Sequence, residues 1–285
     1  MKVLAGIPEM KEAGRILKSG GKTIGLVPTM GSLHEGHLSL VRESRRRCGA
    51  TVVSIFVNPI QFGPKEDLDR YPRDLERDRA KLDSVNADLL FHPRAGDMYP
   101  GGYKTFVEVH DLEDRLCGAA RPGHFRGVST VVLKLFNIVE PDMAFFGRKD
   151  AQQAVILEKM VSDLNLAVKI VVMPIVREPD GLAMSSRNSY LSPAERKAAL
   201  VLSRSLEEAR TLWARGEKRA GELIKRMRKV IASEPLARSD YIEIVHPGTL
   251  EPLDEIQGKA LIAMAVFIGN TRLIDNTLIG SERED

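Results

Sequence analysis

Apolar residues recur at helical spacing over residues 9–19, where Met10, Ala13, Ile16 and Leu17 share one face, and Gly20-Gly21 supplies the stop. The next apolar run, Thr23 to Thr29 (TIGLVPT), is short and continuous, which predicts a buried strand followed by a turn at Gly31 and Ser32. Leu38 to Cys48 returns to a helical pattern. Thr51 to Val57 (TVVSIFV) is rich in β-branched residues and stops at Asn58-Pro59, so it reads as a second buried strand. Pro59 to Pro72 holds three prolines and several charges and reads as a loop or broken helix. Beyond it the pattern predicts a helix over 74–83, strands over 87–92 and 105–110, and an apolar helix over 127–139. A strand over 143–146, a helix over 151–164 and a strand over 168–172 follow.

Strand and helix thus alternate for about 175 residues, with connections too long for hairpins. That alternation predicts an α/β, Rossmann-like, mostly parallel sheet with helices on both faces. The pattern then changes. Residues 193–234 form a charge-rich helical stretch that breaks near Gly216 and opens on Ser192-Pro193-Ala194-Glu195, a capping box with proline at the first helical position. Three strand-like runs close the chain, 240–245, 260–268 and 271–279, and Gly269-Asn270 between the last two is a hairpin signal. The expected organisation is a nucleotide-binding domain over residues 1–176 and a smaller C-terminal α+β domain over 177–285.

At 285 residues with 43% hydrophobic and 28% charged positions, the composition is that of a globular chain and excludes wholesale disorder. A net charge of +3 gives no general basic surface, and the one run of three cations, Arg45-Arg46-Arg47, falls where last-turn cations favour a helix dipole. No nucleic-acid partner is expected. Two cysteines, Cys48 and Cys117, form neither a metal pattern nor a disulfide framework. The N-terminus lacks a signal-peptide pattern and no run reaches membrane-span length, so the expected setting is cytoplasmic, without membrane attachment.

The chemistry concentrates at strand-to-helix junctions. His34-Glu35-Gly36-His37 follows a strand and turn and opens a helix, the place where open α/β sheets bind ligands and where free N–H groups and the helix dipole suit phosphate. Two imidazoles there can donate to phosphoryl oxygens as charge develops. The spacing is not that of a zinc protease, whose two histidines lie four apart. Gly147-Arg148-Lys149-Asp150 forms a second such junction, where Lys149 suits a phosphate and Asp150 suits either the site or a helix cap. Met184-Ser185-Ser186-Arg187-Asn188 offers hydroxyls and a guanidinium to a triphosphate, or is a plain polar loop. Gln61 and Gln153 lie just beyond strands on the same predicted edge, and the loop with His124 and Arg126 precedes another helix. Neither G-x-x-x-x-G-K-[ST] nor G-x-G-x-x-G occurs.

Together, Pro28-Thr29-Met30-Gly31-Ser32-Leu33-His34-Glu35-Gly36-His37, Phe56-Val57-Asn58-Pro59-Ile60-Gln61-Phe62, His124-Phe125-Arg126-Gly127-Val128, Lys149-Asp150-x-x-Gln153 and Asp180–Asn188 resemble the signatures of the pantoate–β-alanine ligase (pantothenate synthetase) family, within the HxGH nucleotidyltransferase superfamily. The resemblance implies ATP-dependent ligation of pantoate and β-alanine through a pantoyl adenylate, with release of pyrophosphate and AMP. It implies ATP as co-substrate, Mg2+ carried on the phosphates, and a homodimer. By position it assigns Met30, Gly31, Ser32, Leu33, His34, Glu35, Gly36, His37, Gly147, Arg148, Lys149, Asp150, Val176, Met184, Ser185, Ser186 and Arg187 to ATP. His37, with His34 and Lys149, would be catalytic, and Gln61 and Gln153 would hold pantoate, Gln61 also lying near β-alanine. The 184–187 segment, with its domain, would close over the triphosphate. Arg148 departs from the family's frequent glutamate, a difference of little effect where the contact is through the backbone. A superfamily nucleotidyltransferase with another acceptor, or a nucleotide sensor without catalysis, would keep HxGH without needing both glutamines.

Overall fold

The central apolar runs are buried on both faces because helices cover them, and this makes them parallel strands rather than alternating ones. In the computed structural model, which describes residues 1–64 and 66–280, the chain divides into two units: Met1–Asp114 with Gly118–Pro174, and Arg115–Cys117 with Ile175–Asp285. The first unit runs β1 (Lys2–Leu4), α1 (Ile7–Ser19), β2 (Ile24–Thr29), α2 (Glu35–Arg47), β3 (Ala50–Ile55), α3 (Leu75–Ser84), β4 (Leu89–Phe91), α4 (Ala95–Met98), α5 (Cys117–Ala120, of which Cys117 falls to the second unit), α6 (His124–Val139), β5 (Met143–Gly147), α7 (Ala151–Asp163) and β6 (Lys169–Met173). Its six strands lie in the order β1-β4-β3-β2-β5-β6, every pairing parallel.

From β2 the chain winds outward through β3 and β4, and from β5 it winds the other way into β6. The boundary between β2 and β5 is therefore the topological switch point, where the loops at the carboxyl ends diverge and leave a crevice. Gly25 on β2 permits α2 to lie close, since a Cβ there would stand 2.1 Å from the Ser44 hydroxyl. Val27, Leu38, Val41, Val53, Leu82, Leu90 and Phe145 fill one side of this sheet.

The second unit contains α8 (Pro193–Ala198), α9 (Leu200–Ala214), α10 (Ala220–Ala232), β7 (Ala237–Val245), β8 (Ala260–Ile268) and β9 (Thr271–Ile279). The strands form an antiparallel sheet, β7-β8-β9, and Gly269 at the β8–β9 hairpin has φ +55°. Leu202 and Leu206 of α9 and Leu223, Met227 and Ile231 of α10 pack on Ile242, Ile262 and Met264. The capping box at Ser192 and Glu195 forms as its sequence predicts.

Three sequence expectations change, and one strand appears that the pattern did not predict. Residues 105–110 are not a strand; they cross the first unit outside any sheet. The three-residue β1, too short to carry a pattern, pairs with β4 instead. α2 and α6 begin at Glu35 and His124, each about a turn earlier than their apolar positions indicate, because the first turn of each presents polar residues. The 193–234 stretch is three helices, interrupted at Ala199 as well as near Gly216, whose φ is +100°.

Candidate active site at the switch point

The turn after β2 is made by two consecutive left-handed residues, Gly31 (φ +85°) and Ser32 (φ +49°). A serine in that region is strained unless its surroundings hold it. The hold comes from α3. The buried Asp78 carboxylate accepts the N–H groups of Ser32 and Leu33, each at 2.8 Å, and the Lys81 ammonium donates to the Leu33 carbonyl. Burial of Asp78 raises its carboxyl above the usual range in spite of these bonds. Asp78 was missed in the sequence, although a signal exists. It falls at i+3 from Leu75 and i−4 from Leu82, on the buried stripe of α3, where a carboxylate needs internal donors.

The turn delivers His34 as the N-cap of α2 and His37 to its first turn. Their rings stack with centroids 4.1 Å apart and planes 37° apart. The His34 backbone N–H donates to His37 Nδ1 at 3.3 Å, which assigns the remaining proton of a neutral His37 to Nε2. His34 Nδ1 is buried and has no partner among the described residues, so one polar atom of the pair is left for an incoming group. Burial, then the charges of Lys149 and Lys81, push His34 down to about 4. Burial, the neighbouring His34 and the same two lysines hold His37 well below the ordinary imidazole value. Both are therefore neutral hydrogen-bond donors at pH 7.

Within the rest of the motif, Leu33 is buried, Glu35 pairs outward with Arg42, and the Gly36 carbonyl accepts the Ser39 hydroxyl at 2.8 Å. From β5, Gly147 leads into the single 3-10 turn Arg148–Asp150 and then α7. Asp150 occupies the N-cap of α7 without a side-chain capping bond, which leaves its carboxylate beside Lys149, 3.8 Å away. The charge of Asp150 is felt by both His34 and His124, so the two junctions and the 121–127 loop converge.

Gln61 is buried at the floor of this region. Its Nε2 donates to the Met30 sulfur at 3.2 Å, and its Oε1 accepts from Asn58 at 3.0 Å. Asn58 also donates to the Gly127 carbonyl and accepts the Tyr99 hydroxyl, a network unforeseen in the sequence. Gly127 is needed at this contact, since a Cβ would come within 2.6 Å of Gln61 Cα. His124 donates Nδ1–H to the Gln61 carbonyl at 2.8 Å and accepts from Arg121 at Nε2, and Arg121 is itself forked onto Glu66 at 2.6 and 2.7 Å. Burial and then Arg121 lower His124 to about 4. Gln153 sits in the first turn of α7, half-buried. A cavity of about 600 Å3 opens beside Met30 and Gly31, with Phe56, Asp78 and His92 in its wall. Among the described residues, no group of three or more His, Cys, Asp and Glu side chains could hold a metal ion.

Val176 and residues 184–187 belong to the second unit. There Met184 donates its N–H to the Val176 carbonyl at 3.0 Å, Arg187 donates its N–H to Ser185 Oγ at 3.3 Å, and Asn188 donates to the Ala183 carbonyl at 3.1 Å. Arg177 forks onto the buried Asp275 at 2.7 and 2.9 Å and also holds the Gly181 carbonyl. The segment is thus a built turn rather than a loose polar loop.

A sequence model of the family described as Pantoate-beta-alanine ligase matches residues 2–278. A relative named pantothenate synthetase from Pelotomaculum thermopropionicum is 56% identical over 280 residues, covering 98% of this chain and 99% of its own. The crystal structure of pantothenate synthetase from Thermus thermophilus superposes with a TM-score of 0.92 at 46% identity, over 97% of this chain and 99% of that one. A pantoate-beta-alanine ligase from Francisella tularensis, described as complexed with beta-gamma ATP and beta-alanine, gives a TM-score of 0.80 at 33% identity, over 98% and 97% of the two chains.

Proposed function

The chain belongs to the pantoate-beta-alanine ligase family, and from that premise we propose that it joins pantoate to β-alanine in two steps at the β2–β5 switch point. A pantoate carboxylate oxygen attacks the α-phosphorus of ATP, forming pantoyl adenylate as pyrophosphate leaves. The β-alanine amine then attacks the acyl carbon, forming the amide and releasing AMP. Adenylation is required because a carboxylate is a poor electrophile.

The observation that carries this reading is the pair of neutral, stacked imidazoles at the start of α2, flanked by Lys149. His37 donates Nε2–H to the phosphate oxygens on which charge accumulates, and His34 acts beside it. Lys149 supplies a point charge. Met30 through His37 and Gly147 through Asp150 hold the nucleotide, the latter chiefly through backbone groups, so Arg148 in place of glutamate changes little. Gln61, fixed by Asn58 and Met30, holds pantoate together with Gln153. Val176, Met184, Ser185, Ser186 and Arg187 are assigned to the nucleotide on the family resemblance alone.

Mg2+ suits this site as an ion brought by the triphosphate, since Mg2+ needs only one or two carboxylates besides phosphate oxygens and water. Asp150 is the carboxylate beside Lys149 that fits. When bound, the ion neutralises phosphate charge. The resemblance further supports a homodimer working in the cytoplasm. Among the described residues no helix is long and apolar enough to cross a membrane.

Pyrophosphate exchange into ATP tests the first step. Exchange that requires pantoate, followed by AMP and pantothenate on adding β-alanine, is the expected result. Absence of exchange from folded, ATP-binding protein overturns the ligase reading in favour of a superfamily transferase with another acceptor.

A further inference from the structure

A side-chain amide has one end that only donates and one that only accepts, so its orientation decides what it offers a substrate. The orientations of Asn58 and Gln61 follow from their neighbours. The Gly127 carbonyl has no proton to give, so the Asn58 atom 3.0 Å from it is the donor Nδ2. That nitrogen also lies 3.0 Å from the Gln61 side chain, and its second hydrogen needs an acceptor there, which is Gln61 Oε1. With Oε1 engaged by Asn58, the end of Gln61 turned toward Met30 is Nε2, at 3.2 Å from the sulfur. A thioether is a weak acceptor and takes one of the two Nε2 hydrogens. The other remains for a substrate oxygen.

The far end of this relay is Tyr99. Its hydroxyl lies 2.9 Å from Asn58 Oδ1 and, facing an acceptor, donates to it. Asn58 is 1% exposed, and an acceptor buried there without a donor is costly. Tyr99 is held in place for this bond. Its N–H closes α4 on the Ala95 carbonyl at 2.8 Å, and its ring lies 6.2 Å from Phe56 and edge-on to Tyr103 at 5.1 Å. Burial, then Tyr103, raises the Tyr99 hydroxyl above its ordinary value, so the proton stays on it.

We infer that Tyr99 is a positioning residue for the acid substrate: by donating to Asn58 it locks the Asn58–Gln61 relay in the polarity that presents Gln61 Nε2–H to a pantoate oxygen. Tyr99 acts through Asn58 and makes no bond to Gln61. The polarity is a specificity device as well. A donating Gln61 suits a carboxylate or hydroxyl oxygen and repels an ammonium, whereas a reversed Gln61 would present its oxygen and favour the amine substrate in the acid's place. The inference rests on the ligase reading above and on its assignment of Gln61 to pantoate.

The test is pantoate-dependent pyrophosphate exchange by the full chain, Tyr99→Phe, Asn58→Ala and the double variant, with thermal melts to confirm folding. Tyr99→Phe keeps the ring and removes only the donated proton. It is expected to raise KM for pantoate roughly 10-fold, the equivalent of about one buried hydrogen bond, and to leave KM for ATP unchanged. In the Asn58→Ala background the same change should add nothing, because the relay is already cut. Side-chain amide NMR signals give a second readout. The Gln61 pair, identified by its loss in Gln61→Met, should shift when pantoate is added to the parent and should move in Tyr99→Phe without substrate. A Tyr99→Phe protein that melts lower but keeps the parental KM for pantoate overturns the positioning role. So does a parallel rise of KM for pantoate and ATP, or an effect undiminished in Asn58→Ala. Should Asn58→Ala fail to fold, unmoved Gln61 signals in Tyr99→Phe overturn it. A folded parent without pantoate-dependent exchange overturns the ligase reading and this inference with it.

Discussion

Asp78 on α3 accepts the Leu33 N–H at 2.8 Å, and the same carboxylate accepts Ser32, so one buried side chain fixes the turn that aims both histidines. Removing it orphans two N–H groups at a left-handed serine. Asp78→Ala is expected to cost roughly 3 kcal/mol, about 1–3 for each unsatisfied donor less some relaxation. The displaced motif should lower kcat/KM for ATP on the order of 100-fold. Asp78→Asn keeps one acceptor oxygen and should retain more of both. Denaturant melts and steady-state kinetics check the order; equal stability of Asp78→Ala and the parent would remove the clamp's importance.

The two histidines make a pH prediction with a definite sign. A folded-state value below the unfolded one means that the unfolded chain binds the proton first, so stability is full above about 6.5 and is lost as pH falls toward about 4. His34 alone contributes roughly 3 kcal/mol to that loss, and His124 acts in the same direction. Urea melts from pH 8 to 4 should show the decline, and His34→Asn should make it shallower. Free-enzyme kcat/KM for ATP should stay flat down to about pH 5 as far as these imidazoles govern it. An inflection near 6.5 that vanishes in His34→Asn would mean that His34 titrates normally.

Direct donors are tested by deletion. His37→Ala should reduce the rate of pyrophosphate exchange ~100- to 1000-fold without loss of fold, the usual cost of one preorganised donor. Lys149→Ala should both weaken ATP binding and slow exchange, since a cation beside the phosphates acts in ground and transition states alike. Unchanged kinetics in either folded variant would reduce that residue to a structural part.

Much of the first unit was legible because its signals are local. Val52, Val53 and their neighbours form a continuous apolar run, and His34 through His37 sit where a strand gives way to a helix. What escaped was set at a distance. Asp78 lies 45 residues from Leu33, and Asn58 lies 69 from Gly127. No window around either carries their pairing, although Asp78 on an apolar stripe did advertise burial. Residues 105–110 failed differently, because their strand pattern is genuine and their own sheet offers it no neighbour. Asp150 was ambiguous between cap and site; its uncapped carboxylate favours the site.

Gly127 offers a test of how tightly the pantoate side is built. An alanine Cβ would meet backbone atoms of Ile60 and Gln61 at 2.6 Å, atoms that cannot rotate away. Gly127→Ala should destabilise the protein by about 1–3 kcal/mol, the usual cost of overpacking. By displacing Gln61 it should raise KM for pantoate more than KM for ATP. A variant with parental KM for pantoate would show that Gln61 does not govern that site.

Asp275 is the corresponding control point in the second unit. Its side chain is 1% exposed and its carboxylate takes both arms of the Arg177 fork, while Arg177 also holds the Gly181 carbonyl at the turn leading to Met184. Breaking such a pair from one side leaves an uncompensated cation, at a cost of about 3–5 kcal/mol when both partners are buried. Arg177 is 32% exposed, so water screens part of that cost and the lower end applies. Asp275→Ala should therefore lower stability by about 3 kcal/mol and loosen residues 177–188, seen as faster amide exchange at Met184 and Glu178, whose N–H groups bond within that turn. If the segment serves the nucleotide, KM for ATP should rise while a melt confirms folding. Faster exchange with KM unchanged would separate the turn's architecture from ATP binding and withdraw Ser185, Ser186 and Arg187 from the site.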